Sequence, residues 1–88
     1  MEISGIIFHK RFEKTYAKQS RSVQDAFIER KNVFLRSPES PALHNHPLNG
    51  EWSGYRSINV TGDVRAVYIL SGTVAVFVAI GTHSKLYR

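Results

Sequence analysis

The last third of the chain contains three runs rich in β-branched and aromatic residues, separated by two short breaks. The runs are Tyr55–Val60, Val64–Leu70 and Thr73–Ile80, and the breaks are Thr61-Gly62-Asp63 and Ser71-Gly72. β-Branched and aromatic residues favour strands, and short breaks that contain glycine are typical of hairpin turns. The pattern therefore predicts an antiparallel meander of three strands, against which the rest of the chain must pack.

The first part of the chain predicts a strand followed by two helices. Residues 3–8 have the sequence ISGIIF, a short apolar run that predicts a strand. Phe12 and Tyr16 are four positions apart in a charged segment, which predicts a short amphipathic helix. Ser22 can N-cap a second helix, which ends before Pro38 because the residue preceding proline avoids helical backbone.

Helices that are separate in sequence from an antiparallel sheet indicate an α+β fold. We predict a small antiparallel sheet in the order β-α-α-β-β-β, with the N-terminal helical hairpin packed on one face. The chain has 88 residues, which is enough for a single domain over residues 1–88 and too few for two.

The composition excludes several classes of protein. Cysteine is absent, so disulfides and cysteine-ligated zinc sites are excluded. The N-terminus lacks the apolar segment of a signal peptide, and the longest apolar run, Val74–Ile80, is too short to span a bilayer. We therefore expect a cytoplasmic location and no membrane partner.

The chain is basic, with 12 Lys and Arg against 7 Asp and Glu and a net charge of +5. This balance indicates a polyanion or an acidic protein as a partner. Four cations in the first predicted helix are the candidates for RNA binding: Lys10, Arg11, Lys14 and Lys18. Two interpretations remain open for them, a solvated helix face and a surface that binds phosphates.

The connection between residues 38 and 53 is long for a compact domain, which indicates a functional or a disordered segment. Its large apolar residues are Leu43, Leu48 and Trp52. Their presence predicts a loop that packs on the domain. The loop also carries His44 and His46, so its packing decides where these histidines lie.

Pairing through the two predicted turns brings reactive residues together. The first turn places Asn59 opposite Arg65, on the same face of the sheet. The second turn places Arg65 opposite Val78. The chain then leaves the sheet towards His83, which we expect near the turn that contains Asp63 and within reach of Arg65.

These residues suit the cleavage of RNA without a cofactor or a metal ion. A histidine ring exchanges protons near neutral pH, and arginine stabilises phosphate charge with paired hydrogen bonds. The 2′-OH of the RNA can then attack the adjacent phosphorus. We predict that His46 and His83 move protons and that Arg65 stabilises the phosphate. Asp63 is predicted to orient a histidine or to act as a second base.

Simpler interpretations remain open for some of these residues. Asp63 follows glycine and can be an ordinary turn residue. His44 is interpreted as a surface residue without a catalytic role. The two loop histidines lack further ligands at the spacing of a zinc site, so no metal site is expected. The literal His-Asn-His sequence is interpreted as a coincidence, because that nuclease signature uses dispersed residues.

Three segments, HNHPLNGEWSGYR, VRAVY and IGTHSKLY, closely resemble the YafQ branch of the RelE/ParE toxin superfamily. The resemblance extends over residues 43–88, whereas residues 1–37 share only the character of a helical hairpin. It implies a RelE-like fold and the toxin of a type II toxin–antitoxin system. It also implies a ribosome-associated mRNA endonuclease that is neutralised by a cognate acidic antitoxin.

By this resemblance, the functional positions of the family fall on five residues of the chain: His46, Asp63, Arg65, His83 and Tyr87. The chain departs from the pattern at two places. Asn59 stands where related toxins often carry a histidine, and Gly62-Asp63-Val64 stands where they often carry Pro-Asp-Trp. We expect Asn59 and Tyr87 to contact RNA and the other four residues to take part in catalysis.

Two other functions remain open on the same fold. The chain could inhibit a protein partner such as a topoisomerase, as ParE-like members of the superfamily do. It could also be a degenerate toxin that only binds its antitoxin. The presence of His46, Asp63 and His83 together favours the nuclease.

Overall fold

The computed structural model describes residues 1–87, which form an α+β fold, as the sequence predicts. The strands are β1 Gly5–Phe8, β2 His46–Pro47, β3 Arg56–Asn59, β4 Val64–Ser71 and β5 Val74–Thr82. The helices are α1 Lys10–Ala17, α2 Arg21–Arg36 and α3 His83–Leu86, with 3-10 turns at Pro41–Leu43 and Gly50–Trp52. In the described part of the chain, no helix has the length and apolarity needed to cross a membrane.

The sheet has the strand order β1-β5-β4-β3-β2. Strands β3, β4 and β5 form the predicted antiparallel meander. The sheet is not wholly antiparallel, however, because β1 pairs in parallel with β5 at one edge. A parallel pair needs no tight turn, so the sequence carries no local signal for it. Strand β2 pairs with β3 at the other edge and was missed because two residues are too few to show a pattern.

Helices α1 and α2 pack on one face of the sheet through an aromatic core, as predicted. Phe12 of α1 lies 5.1 Å from Phe27 of α2 between ring centroids. Phe34 lies 5.0 Å from Tyr68 of β4 and 5.6 Å from Phe77 of β5. All five rings are buried, so the helical hairpin and the sheet share one hydrophobic core.

Helix α2 begins two residues earlier than predicted. Ser20, not Ser22, is the N-cap, because its extended backbone precedes the first helical residue and its Oγ accepts a hydrogen bond from the Val23 N–H at 3.3 Å. Both serines fit the composition of an N-cap, and the sequence alone did not distinguish them. The helix ends at Arg36, ahead of Pro38, as predicted.

Helix α1 continues along β5 where β1 has ended. The Ile80 N–H donates to Thr15 Oγ1 at 3.3 Å, and the Ile80 carbonyl accepts from Gln19 Nε2 at 3.4 Å. A side chain of α1 and one from the turn that follows it therefore satisfy the free edge of β5 at Ile80. This contact brings the basic side of α1 close to the C-terminal end of β5.

The predicted register is correct between β3 and β4 and wrong between β4 and β5. Asn59 lies opposite Arg65, as predicted. Arg65 lies opposite Gly81 rather than Val78. Thr82 pairs with Val64, which brings the next residue, His83, level with the turn between β3 and β4.

Two local features account for the difference in register. Ser71 pairs with Val74, so the turn is Gly72-Thr73 instead of Ser71-Gly72, with Gly72 at φ 62°. A β-bulge then leaves Val78 without a partner, because Val67 pairs with Ala79 and the next residue of β4 pairs with Phe77. Both features shift the register of β5 relative to β4 in the same direction.

Candidate active site

The candidate site lies on the face of the sheet that is opposite to the helical hairpin. Ile58, Ala66 and Ile80 pair across β3, β4 and β5 and belong to the core beneath the helices. Side chains alternate between the two faces along a strand, so the flanking rows point away from the helices. These rows are His46, Ser57, Val67 and Ala79, and then Asn59, Arg65 and Gly81.

A cavity of about 390 Å³ opens on this face. Four of the residues singled out in the sequence line it: His46, Arg65, His83 and Tyr87. The remaining lining residues are Leu48, Asn49, Glu51, Trp52 and Ser57. Two imidazoles and a guanidinium that are distant in sequence therefore line one cavity. The sequence predicted that these three groups lie close together.

His46 is held by the backbone of its own loop. Its Nδ1 lies 2.8 Å from the carbonyl oxygen of His44. A carbonyl oxygen can only accept, so Nδ1 carries the proton and Nε2 of the neutral ring is left as an acceptor. His44 adopts left-handed backbone at φ 46°, and the two rings lie 4.7 Å apart. The backbone of His44, a residue expected to have no role, thus orients the ring of His46.

Arg65 is half-buried and is anchored by the turn that precedes it. Its Nη1 donates to the carbonyl oxygens of Thr61, Gly62 and Val64, each at 3.3 Å. Among residues 1–87, no carboxylate lies within 4.0 Å of its guanidinium. The positive charge is therefore held in place without being neutralised by an anion.

His83 begins helix α3 and Tyr87 directly follows its last residue; this helix was not predicted. Thr82 caps it by accepting from the Lys85 N–H, and the His83 N–H donates to the Asp63 carbonyl at 3.1 Å. The rings of His83 and Tyr87 lie 4.7 Å apart at 75°. The Tyr87 hydroxyl donates to Oγ of the fully buried Ser57 at 3.0 Å. His83 therefore lies beside the Asp63 turn, as predicted.

Two predicted site residues lie beside the cavity and do not line it. Asp63 is exposed, and its contact with His83 is made by its backbone carbonyl. Asn59 faces Arg65 across the strand pair, and its Oδ1 is buried with no hydrogen-bond partner in the described part of the chain. The predicted roles in catalysis and RNA contact would place both side chains in the cavity wall, but neither lines it.

The predicted RNA-binding cations Lys10, Arg11, Lys14 and Lys18 are all exposed, but they are not equivalent. Cζ of Arg11 lies 5.6 Å from the centroid of the Trp52 ring, at the edge of the site. Arg11 and Lys18 line a groove of about 330 Å³ together with Lys85. Lys10 and Lys14 do not line this groove. Of the four predicted cations, Arg11 and Lys18 are therefore the ones that flank this groove.

Sequence reasoning did not assign five residues of the cavity wall to the site, and Glu51 and Trp52 are two of them. Glu51 places an exposed carboxylate at the cavity. Trp52 was interpreted only as a packing residue, yet its Nε1 donates to the Leu86 carbonyl at 3.1 Å and links the loop to α3. Across residues 1–87, no three His, Asp or Glu side chains are grouped so that they could hold a metal ion.

Solved structures of bacterial toxins have the same fold as this chain. YafQ from Escherichia coli strain BL21(DE3) superimposes with a TM-score of 0.80 at 22% identity, over 94% of this chain and 97% of that chain. The E. coli DinJ–YafQ toxin–antitoxin complex gives 0.78 at 21% identity, over 100% of both chains. A YoeB/ParE toxin from Agrobacterium tumefaciens gives 0.73 at 19% identity, over 94% of this chain and 99% of that chain. The fold is thus that of the RelE-like toxins.

The sequence identifies the family within this class. The model of the family described as "Bacterial toxin of type II toxin-antitoxin system, YafQ" matches residues 5–88. The chain therefore belongs to the YafQ family of toxins. It is 40% identical over 48 residues to the mRNA interferase toxin YafQ of E. coli K12, which corresponds to 53% of this chain. The match spans 52% of that relative, or about half of its length.

Proposed function

We propose that this toxin is an endoribonuclease that cleaves mRNA in the cytoplasm and thereby inhibits translation. The observation that carries the proposal is the convergence of His46, Arg65 and His83 on one cavity. The similarity to a protein named an mRNA interferase supports the same reaction.

The reaction needs two groups that exchange protons and one cation. Nε2 of His46 accepts the proton of the 2′-OH, and the resulting oxygen attacks the adjacent phosphorus. Arg65 stabilises the charge that develops on the phosphate oxygens. The imidazolium of His83 protonates the departing 5′-oxygen. The products are a 2′,3′-cyclic phosphate and a free 5′-OH, and the reaction consumes no cofactor or metal ion.

Other residues serve this reaction by positioning and binding. Asp63 orients His83 through the hydrogen bond from the His83 backbone N–H. The residues proposed to contact RNA are Lys10, Arg11, Lys14, Lys18, Asn59 and Tyr87. A net charge of +5 suits the ribosome as the place where mRNA is bound. The same charge suits a cognate acidic antitoxin, by analogy with the complex of YafQ and DinJ.

The proposal is tested by inducing the chain alone in cells and mapping the ends of mRNA. New ends are expected within coding regions, and they should disappear with the His83→Ala variant. Purified toxin should cleave mRNA in EDTA, and a 2′-deoxy substitution at the cut position should block cleavage. Experiments with and without ribosomes determine whether the reaction depends on them.

Two results would overturn the proposal. Toxicity without mRNA cleavage would indicate inhibition of a protein partner such as a topoisomerase. Antitoxin binding with neither toxicity nor cleavage would indicate a degenerate toxin.

A further inference from the structure

Trp52 forms the wall between the candidate active site and a second cavity. Its side chain lines the catalytic cavity on one side. On the other side it lines a cavity of about 360 Å³. The residues of this second cavity are Arg11, Glu51, Trp52, Tyr55 and Leu86. The two cavities are therefore adjacent, so an RNA strand with one phosphate in the catalytic cavity can place a neighbouring nucleotide in the second cavity.

The Trp52 ring is fixed in its orientation. Its Nε1–H donates to the Leu86 carbonyl at 3.1 Å. The ring of Tyr55 stands at 89° to it with centroids 5.4 Å apart, and the ring of Tyr87 at 87° with centroids 6.3 Å apart. A hydrogen bond and two perpendicular rings prevent the indole from turning. A rigid aromatic surface loses little entropy when it binds a flat ligand.

Arg11 places a flat cation over the same indole. Its Cζ is 5.6 Å from the Trp52 ring centroid, and its side chain is exposed. No carboxylate lies within 4.0 Å of it among the described residues. A guanidinium is planar and stacks on aromatic faces, including those of nucleobases. Arg11 and Trp52 therefore offer two flat groups at the mouth of one cavity.

The charges around the second cavity separate a position for a base from positions for phosphates. Glu51 lies where the catalytic and second cavities meet, and its carboxylate disfavours a phosphate there. The adjoining groove shares Arg11 and Leu86 with the second cavity and adds the cations Lys18 and Lys85. A base beside Trp52 avoids placing a phosphate near the Glu51 carboxylate. The next phosphate then lies among the cations of the adjoining groove.

We propose that Arg11, Trp52 and Tyr55 form a subsite for one unpaired nucleobase next to the cleaved phosphate. The proposal rests on the proposed function, because it takes the ligand to be the RNA strand that is cut. Lys18 and Lys85 bind the phosphate beyond that base. Stacking uses the face of the base, so this subsite accepts any of the four bases and contributes affinity without sequence preference.

Binding can be measured directly because Trp52 is the single tryptophan of the chain. Two probes are titrated at low salt: the pentadeoxynucleotide dA5 and an abasic pentamer with the same phosphates. Neither probe has a 2′-OH, so neither can be cleaved by the proposed reaction. We expect dA5 to change the Trp52 fluorescence and to bind about 5- to 150-fold more tightly than the abasic pentamer.

Substitution of Arg11 separates stacking from charge. Arg11→Gln should weaken the binding of dA5 more than the binding of the abasic pentamer, because it removes one of the stacking groups. Arg36→Gln removes an exposed arginine at the end of α2 and should leave the binding of both probes unchanged.

Three results would overturn the nucleobase subsite. They are equal affinities for the two pentamers, no fluorescence change with either pentamer, and an equal loss for both pentamers in Arg11→Gln. None of these measurements depends on catalysis. They are therefore independent of the His83→Ala cleavage experiment, which tests the proposed function itself.

Discussion

Single side chains at the cavity of the candidate active site are held by separate contacts. His46 is oriented by the carbonyl of His44 and Arg65 by three carbonyls of its turn. The ring of His83 lies against that of Tyr87. Because no hydrogen bond in the described chain links these three groups directly, one can be removed while the others keep their positions. Substitutions of single residues are therefore informative here.

His83→Ala should lower the rate of mRNA cleavage by about 10²- to 10⁴-fold, because the departing oxygen loses its proton donor. Arg65→Ala should lower the rate of mRNA cleavage by roughly 10²- to 10³-fold, because the transition state is stabilised less well. The His46→Ala/His83→Ala double variant should be little worse than the poorer single variant, because the groups act as a unit. Initial cleavage rates on ribosome-bound mRNA measure all three.

His44→Ala is the matched control for the histidine substitutions. Only the backbone carbonyl of His44 is hydrogen-bonded to His46, so removal of its side chain should preserve most of the cleavage rate. A His44→Ala variant as inactive as His83→Ala would contradict the assignment of the two histidines.

The convergence of His46, Arg65 and His83 on one cavity was predictable from the sequence, but the rest of the cavity wall was not. Arg65 stands out as a charge in an apolar strand, and His83 follows directly from the end of the meander. Glu51 and Trp52 belong to a 3-10 turn whose direction depends on the bond from Trp52 to Leu86, 34 positions later in the chain. A contact of that range leaves no signal in local sequence.

At the scale of elements, α3 depends on its contacts with the sheet. A helix of four residues is not stable alone, because its few hydrogen bonds do not offset the unfavourable free energy of helix nucleation. The structure attaches it through the bonds from Tyr87 to Ser57, from Trp52 to Leu86 and from His83 to the Asp63 carbonyl. The position of the His83 ring therefore depends on how firmly α3 is docked.

Tyr87→Phe should lower the free energy of unfolding by about 1–3 kcal/mol, because it leaves the buried Ser57 hydroxyl without its partner. The double variant Ser57→Ala/Tyr87→Phe should recover part of this loss, since both polar groups are then absent. Urea unfolding of the parent, of the single variants Ser57→Ala and Tyr87→Phe, and of the double variant gives the coupling energy. Strictly additive losses would show that the hydrogen bond does not stabilise the docked helix.

The meander was predictable because its composition and turn residues are local features. The register of β5 was not, because it depends on the choice of Gly72-Thr73 as the turn and on a bulge at Val78. Both Ser71-Gly72 and Gly72-Thr73 fit the residue preferences of a two-residue turn. The bulge places Phe77 in the core beneath the helices and Ala79 in the row on the opposite face, and strand propensity does not encode this change of face.

At the scale of the whole molecule, the net charge of +5 should make RNA binding sensitive to salt. If Lys10, Lys14, Lys18 and Lys85 each contact a phosphate, the logarithm of the affinity should fall with the logarithm of salt concentration at a slope of about −3. Binding of the toxin to single-stranded RNA over a salt series measures this slope. Lys10→Gln/Lys14→Gln should reduce its magnitude by about 1.4. An affinity that does not change with salt would indicate an apolar protein contact instead.

Tyr68 links the stability of the whole molecule to alkaline pH. It is fully buried between Phe34 and Phe77, and its hydroxyl donates to Asn45 Oδ1 at 2.8 Å. Burial raises the pKa of Tyr68 above its ordinary value of 10.0, and the nearby charge of Arg56 offsets only part of this effect. The folded protein therefore keeps this proton at a pH where the unfolded chain releases it.

The sign of the pH effect follows from this difference in pKa. The contribution of Tyr68 is fully present below its unfolded pKa near 10 and is lost as the pH rises through the higher folded value. The free energy of unfolding should therefore fall as the pH rises above 10. Tyr68→Phe should show a flatter dependence, and Asn45 Oδ1 keeps a partner in that variant because it also accepts from Arg56 Nε at 3.0 Å. Urea unfolding on both sides of pH 10 compares the two proteins, and equal losses in both would assign the alkaline instability to other groups.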